Sequence, residues 1–324
     1  MSAQAAGRLA SLRVVFLGTS QFAIPTLRAC AAATSVAAVV TQPDRPAGRG
    51  RKVTPPPVAV AAQDLGLTLL QPKGLRTESV QNEVRALRPD VIACVAYGRV
   101  IPGAVLAMPA LAAINLHPSM LPAYRGASPI QSAIADGLRT TGVTVMHLAE
   151  ELDAGDIILQ RAVEIGPEET AGELERRLAE IGAEMMMEAI DLLARGAAPR
   201  IPQDPAHATY VGKIEKESGA IEWRCPAHAI VNHVRAMNPW PCAFTTWREG
   251  VLKVWRARIS RGGGMTGTVI GVDAGGITVA AGDGAVVLTE VQKEGGRLLG
   301  AAEFARGHRL QVGERLGHAA AGND

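Results

Sequence analysis

The sequence predicts an α/β protein: a doubly wound, mostly parallel sheet followed by a smaller OB-like β-barrel. Three observations carry this. Apolar runs of strand length alternate with helical patterns up to about residue 197. The run DVIACVAYG, residues 90–98, is apolar enough to be buried on both faces, as a central parallel strand is. Beyond about residue 216 the pattern changes to short strands separated by GGG, DAGG and GDG. With 324 residues and 48% hydrophobic content, the chain can build two cores.

Taken in order, MSAQAAGRLAS (1–11) reads as a disordered tail, and LRVVFL (12–17) as the first buried strand. GTSQFAIPTL then turns into a helix, with Thr19 or Ser20 as cap and Pro25 in its first turn. SVAAVVT (35–41) is the second strand, followed by a long basic loop. A helix near 58–65, the strand LTLL (67–70) and a helix capped by Thr77 lead to the strand at 90–98. A brief helix near 103–108 precedes the apolar run from Leu111 to Leu116. Pro129 opens another helix, and 143–148 and 157–165 alternate as a hairpin does around ELDAGDII (151–158). Thr170 and Glu173 form a capping-box signature for a helix ending near Gly196. Prolines at 199, 202 and 205 mark a linker over 198–215, which places one domain at 12–197 and a second at 216–324. In the second, a helix starts near Pro226, and Trp240 of NPWP reads as a packing anchor.

Composition excludes several classes. Cys30, Cys94, Cys225 and Cys242 show neither a CxxC pair nor zinc spacing, which argues for a reducing compartment and against a structural metal. Neither a signal peptide nor a membrane-length apolar run of about 18 residues is visible, so a soluble, cytoplasmic protein is expected. The net charge of +2 requires any polyanion site to be local. Gly18 is the only glycine between Leu12 and Gly48, so the GxGxxG of a nicotinamide enzyme is missing and no nucleotide cofactor is expected.

The densest chemistry lies in INLHPSMLPAYRGASPIQ, residues 114–131. Asn115 and His117 are two apart, so on a strand they share a face. A carboxamide can hold a carbonyl oxygen and an imidazole exchanges protons near neutral pH, a pairing suited to acyl chemistry. Asp153 sits in the turn of the later hairpin. In the loop after the second strand, Arg45, Arg49, Arg51 and Lys52 stand against only Asp44, among prolines and glycines that prevent a regular helix. These groups can reach outward to a phosphate backbone.

Asn115, His117, the SMLP loop and Asp153 stand in the order and roughly the spacing of the folate-dependent formyltransferases, and the chain resembles that family. The segments GTSQFA (18–23), TQPDRPAGRGRK (41–52), VAYGRVIP (95–102), YRGASPIQ (124–131) and NPWP (238–241) resemble its branch acting on charged initiator tRNA. The resemblance runs from about Leu12 to the end of the chain. It implies 10-formyltetrahydrofolate as donor, methionyl initiator tRNA as acceptor through its α-amino group, no metal, and a monomer. It implies Asn115 as oxyanion donor, His117 as second donor or proton source, and Asp153 as the group that orients His117. Ser119, Met120, Leu121 and Pro122 would line the folate pocket with Val95, Tyr97 and Ile101. The basic loop and the C-terminal barrel would bind tRNA. Where the family usually has leucine this chain has Met120, of similar volume. Glycinamide ribonucleotide and amino sugars are the competing acceptors within the family, and an RNA-binding protein without catalysis is the competing class.

Overall fold

The structure, a computed structural model, describes residues 3–47 and 52–317. In chain order the elements are α1 (Ala3–Ala10), β1 (Arg13–Gly18), α2 (Ile24–Ala33), β2 (Ser35–Val40), β3 (Arg45–Ala47), β4 (Lys52–Thr54) and α3 (Pro57–Asp64). Next come β5 (Leu69–Leu70), α4 (Glu78–Ala86), β6 (Val91–Val95), α5 (Gly103–Leu106), β7 (Ala112–His117), β8 (Arg125–Gly126) and α6 (Pro129–Ala135). They are followed by β9 (Thr140–His147), β10 (Ile157–Glu164), α7 (Ala171–Ala194), β11 (Tyr210–Val211), α8 (Ala227–Ala236) and β12 (Ala243–Trp247). The last are β13 (Gly250–Ser260), β14 (Val269–Asp273), β15 (Gly276–Ala280), β16 (Ala285–Lys293), β17 (Leu299–Gly300) and α9 (Ala301–His308). Residues 1–11, expected as a disordered tail, thus include the helix α1, in which Leu9 is fully buried.

One compact unit comprises residues 1–126, 140–164 and 175–210. Its seven-stranded sheet has the order β10-β9-β7-β6-β1-β2-β5. The pairs β5/β2, β2/β1, β1/β6 and β6/β7 are parallel, while β7/β9 and β9/β10 are antiparallel. The chain winds outward from β1 to β5 and returns on the other side through β6, so the order reverses at β1. In such a sheet ligands bind beyond the carboxyl ends of the strands at that reversal. All five residues of β6 are buried, as its continuous apolar run requires. Val15, Leu17, Ile92, Cys94, Tyr97 and Ala113 belong to one core cluster on the sheet.

On the opposite face, Leu116 of β7 lies against α7 at Gly182. A Cβ on Gly182 would come within 2.5 Å of a Leu116 methyl. The Leu116 side chain therefore packs directly on the helix backbone, and a larger residue at 182 would require it to move.

The other unit comprises residues 127–139, 165–174 and 211–324. Its antiparallel sheet has the order β12-β13-β16-β15-β14, with β17 on β16. The two outer strands are linked through one segment. Val269 N donates to Glu314 O and Leu316 N to Gly267 O on the β14 side, and Gly317 N donates to Thr246 O on the β12 side. The edges are thereby covered and the sheet is rolled up, in keeping with the barrel expected.

Trp240 is not the anchor of this unit: it is 58% exposed in a loop with cis bonds at Asn238–Pro239 and Trp240–Pro241. Prolines on both sides and the Asn238 amide, which donates to Trp255 O, hold the loop so that the ring faces outward. The buried indoles are Trp223, donating to the Thr245 hydroxyl, and Trp247, donating to Glu314.

The capping box forms as its spacing predicts. Thr170 N donates to the Glu173 carboxylate (2.8 Å) and Glu173 N to the Thr170 hydroxyl (3.3 Å). At the earlier helix, Thr77 occupies the N-cap of α4 without a side-chain capping bond. The bond from the Thr170 backbone, then those from its hydroxyl and Arg256, outweigh burial and bring the Glu173 carboxyl from 4.5 down to about 2. Its folded value lies below its unfolded one, so the associated stability is complete above about pH 4.5 and disappears as pH falls towards 2. Partial exposure of the carboxylate keeps this contribution to stability small. Replacing Thr170 by Ala should lower unfolding free energy by about 1 kcal/mol in denaturant titrations. Glu173→Gln should make stability fall less steeply between pH 4.5 and 2 than in the wild type.

Candidate active site

β7 delivers Asn115 and His117 to one face of the sheet. Its neighbours on that face follow from register: Asn115 opposes Met146 and His117 opposes Thr144, both on β9. Asn115 is 9% and His117 4% exposed, so both are nearly withdrawn from solvent. The His117 ring is oriented from one side by a bond from Nε2 to the Tyr124 carbonyl (2.9 Å). A carbonyl can only accept, so Nε2 carries a proton in every charge state of the ring. Proton exchange is left to Nδ1.

Nδ1 faces the Asp153 carboxylate, with Oδ2 3.6 Å away. That separation is an ion-pair contact when the ring is charged and too long for a direct hydrogen bond. Reaching it requires an unusual path. The last residue of β9, His147, lies opposite Ile114, three residues before His117 along β7. The connection 148–156 must therefore double back by roughly 10 Å. Asp153 sits in it at φ 50°, in the left-handed region. Its Oδ2 accepts from Gly126 N at 2.9 Å. Gly155 lies so close to the His147 carbonyl that a Cβ there would overlap backbone.

Two loops complete the surroundings of the strand end. In the first, after β6, Ala96 and Gly98 have φ 47° and 73°. The Tyr97 carbonyl accepts from the Thr19 hydroxyl (2.8 Å) and from Gln42 Nε2 (2.7 Å). In the second, 118–124, the Thr144 hydroxyl donates to Ser119 O (2.7 Å) and accepts from Leu121 N (3.2 Å) and Gln160 Nε2 (3.0 Å). Gln160 also donates to Leu121 O at 2.7 Å. The side chains of Val95, Tyr97, Ser119 and Leu121 are buried, and the Tyr97 ring, 2% exposed, belongs to the sheet core. Ile101 packs on that same core, and Met120 lies beside Gly142. Pro122, joined to Leu121 by a cis bond, is partly exposed. The side chains of Val95, Tyr97, Ser119 and Leu121 are thus packed into the protein, and Leu121 N and the Tyr97 carbonyl are bonded within it.

The two ends of the basic loop, expected to be non-helical, pair as short antiparallel strands, β3 with β4. Two-residue alternation is invisible in segments of three residues interrupted by prolines. Arg45 is exposed on this hairpin and Lys52 is in β4, while Arg49 and Arg51 lie outside the described residues. Sequence reasoning missed Thr19, Gln42, Thr144, Gln160 and Gln203 as supports of the site. Thr144 and Gln160 occur in alternating strands, where a polar residue on an otherwise apolar face is a usable signal; Gln203, among prolines, gives none. His147, read as structural, is buried with Nε2 unpartnered, and burial first, then Arg200, lowers its basicity. Among the described residues, no cluster of three or more His, Cys, Asp or Glu is arranged to hold a metal, and no helix is long and apolar enough to cross a membrane.

Comparison with known proteins gives two family matches: "Formyl transferase" over residues 12–190 and "Formyl transferase, C-terminal domain" over 213–309. The methionyl-tRNA formyltransferase of Moorella thermoacetica is 44% identical over 309 residues, covering 94% of this chain and 99% of that protein. That of Aromatoleum aromaticum is 45% identical over 312 residues, covering 96% and 99%. Among solved structures, HypX from Aquifex aeolicus in complex with tetrahydrofolic acid aligns with a TM-score of 0.61 at 19% identity, over 94% of this chain and 48% of that one. An N-formyltransferase from Helicobacter canadensis, in complex with folinic acid and dTDP-3-aminofucose, aligns at 0.62 with 16% identity, over 87% and 99%. These two likenesses are of fold. The matches along both parts of the sequence, and the full-length relatives, show that this chain belongs to the formyl transferase family, among the methionyl-tRNA formyltransferases.

Proposed function

We infer that this protein transfers a formyl group from 10-formyltetrahydrofolate to the α-amino group of methionyl initiator tRNA, supporting translation initiation. The observation that carries the reading is the convergence of Asp153 on His117, 3.6 Å apart, beside the buried Asn115 on the same strand face. The two clamped loops suit a folate donor. They hold main-chain donors and acceptors in fixed positions at the strand ends, where a flat heteroaromatic ring with polar edges can be read. The donor supplies a formyl carbon attached to a nitrogen leaving group. Neither a metal nor a nucleotide cofactor enters this reading, which takes the protein as a cytoplasmic monomer.

The acceptor amine attacks as a neutral group. A free α-amino group titrates at roughly 7.7–8.0, and esterification lowers this, so no strong base is required. The protein's task is orientation and charge stabilisation. Asn115 Nδ2 donates to the formyl oxygen as it gains negative charge. As the amine nitrogen bonds to the formyl carbon and the carbon–N10 bond breaks, the amine gives up one proton and the departing N10 takes one; His117 exchanges a proton at Nδ1 in this step, because Nε2 is committed to Tyr124 O. Asp153, fixed by Gly126 N, keeps the Nδ1 edge of the ring turned to the site. The matches over 12–190 and 213–309 favour a catalytic domain at 12–197, a linker at 198–215 and a tRNA-binding domain at 216–324, with residues 127–139 and 165–174 of the first span clustering in the second compact unit. Full-length similarity to enzymes named for methionyl-tRNA favours this acceptor over glycinamide ribonucleotide or an amino sugar. Arg45, Arg49, Arg51 and Lys52 then contact tRNA phosphates.

Labelled formyl donor should label charged methionyl initiator tRNA, and neither uncharged tRNA nor glycinamide ribonucleotide. Label on either control instead would overturn the acceptor. Asn115→Ala, His117→Ala and Asp153→Asn should each lower kcat/KM on the order of 10² to 10³-fold, the usual cost of one transition-state donor. Near wild-type rates in folded variants would refute these roles. Arg45→Ala should weaken tRNA binding and reduce the slope of log affinity against log salt by about 0.7 to 0.9; an unchanged slope removes this residue from the interface.

A further inference from the structure

Gln203 lies in the proline-rich segment between α7 and β11, far in sequence from the reacting groups. Its carboxamide nevertheless closes a ring of hydrogen bonds around the Asp153 turn. Nε2 donates to Asp153 O (2.7 Å) and to Gly155 O (2.8 Å). Oε1 accepts from Arg125 Nε (3.2 Å) and Nη2 (2.9 Å). Arg125 is 3% exposed and is held by Tyr210 (3.0 Å to the hydroxyl) and by Thr209, whose carbonyl accepts from Arg125 N. The next residue, Gly126, donates its N–H to Asp153 Oδ2. Thus the backbone that presents a donor to the carboxylate and the backbone that carries the carboxylate are tied together through Gln203, and Arg125 Nη1 also reaches Glu151 of the same turn (3.4 Å).

The ring has a specific consequence. The turn, residues 148–156, must run back along β7, with Asp153 in the left-handed region. Its own main-chain bonds are few: Ala154 N donates to Glu151 O (3.4 Å) and His147 N to Asp156 O (2.8 Å) across its base. Both main-chain carbonyls bracketing its tightest point, 153 and 155, take their bond from Gln203. Both donors of that amide are used there, and its oxygen is used by a buried guanidinium, so no alternative rotamer satisfies the same groups.

We propose that Gln203 is a positioning residue for formyl transfer: with Arg125 as its anchor, it sets the location of the Asp153 carboxylate and so the orientation of His117. This rests on the formyl-transfer reading above.

The test combines kinetics with a measurement that needs no substrate. Gln203→Glu retains an acceptor for Arg125 but cannot donate to the two carbonyls. It should fold with a lowered melting temperature, since two carbonyls lose their donor, and lower kcat by roughly 10 to 100-fold, the scale expected for small misplacement of a reacting group, with KM for both substrates within about twofold. Gln203→Ala should give a similar loss. In an Asp153→Asn background, Gln203→Glu should add less than about a twofold loss, because the residue acts through that carboxylate. The imidazole ¹⁵N resonances of His117 in the free protein should move in Gln203→Glu in the same direction as in Asp153→Asn. A wild-type kcat in Gln203→Glu, a full additional loss in the Asp153→Asn background, or unmoved His117 resonances would each overturn the assignment. Should the wild type fail to formylate charged tRNA, the functional reading fails, and the His117 resonances still decide whether Gln203 positions Asp153.

Discussion

The constraint on which the site depends is the antiparallel pairing of β7 with β9. It places Thr144 beside His117, which supplies the hydroxyl that organises the 118–124 loop. The same pairing carries the chain away from His117, since β9 ends opposite Ile114. An ordinary hairpin turn would leave a carboxylate about 10 Å from the imidazole. Everything unusual about residues 148–156, including the left-handed Asp153 and the Gly155 backbone pressed to the His147 carbonyl, follows from the need to cover that distance backwards.

Around this core of side-chain chemistry, the remaining surfaces are main chain held by saturated side chains. The Thr144 hydroxyl makes one donated and two accepted bonds, its full capacity. The Tyr97 carbonyl likewise uses two bonds, from Thr19 and Gln42. Each such bond contributes only about 1 kcal/mol to stability, but leaving a buried partner unpaired costs more, and that asymmetry keeps one loop conformation dominant. GTSQFA and TQPD are therefore parts of the site without contributing a reacting group. Their residues grip the Tyr97 carbonyl from two different strand ends.

How far this was legible in the sequence depended on whether the information was local. The strand expected over 90–98, the hairpin expected over 143–148 and 157–165, and the Thr170–Glu173 box are written in local patterns; each formed, the first shortened to 91–95 where Ala96 turns left-handed and the hairpin shifted to 140–147 and 157–164. Asn115 and His117 were legible as a same-face pair for the same reason. Their relation to Asp153 was not derivable from periodicity, because it depends on a turn whose course is set by Gly126 and Gln203, residues 27 and 50 positions away. Thr19 looked like a helix cap because hydroxyls before helices usually are; its bond to Tyr97 O is a tertiary contact that overrides the local preference. Trp240 looked like a core residue because indoles usually are, but the proline-flanked loop that carries it turns it outward.

The absent side chain at Gly182 reaches further than its size suggests. Leu116, which fills the space above it, is the residue between Asn115 and His117, and its side chain points to the opposite face from theirs. The strand is thus seated from behind by a helix that never meets the reactants. An alanine at this position, attractive to anyone seeking a sturdier helix, would collide with the buried Leu116 side chain and force it to shift. Helix reinforcement and the packing of Leu116 are in this protein opposing demands on a single hydrogen atom.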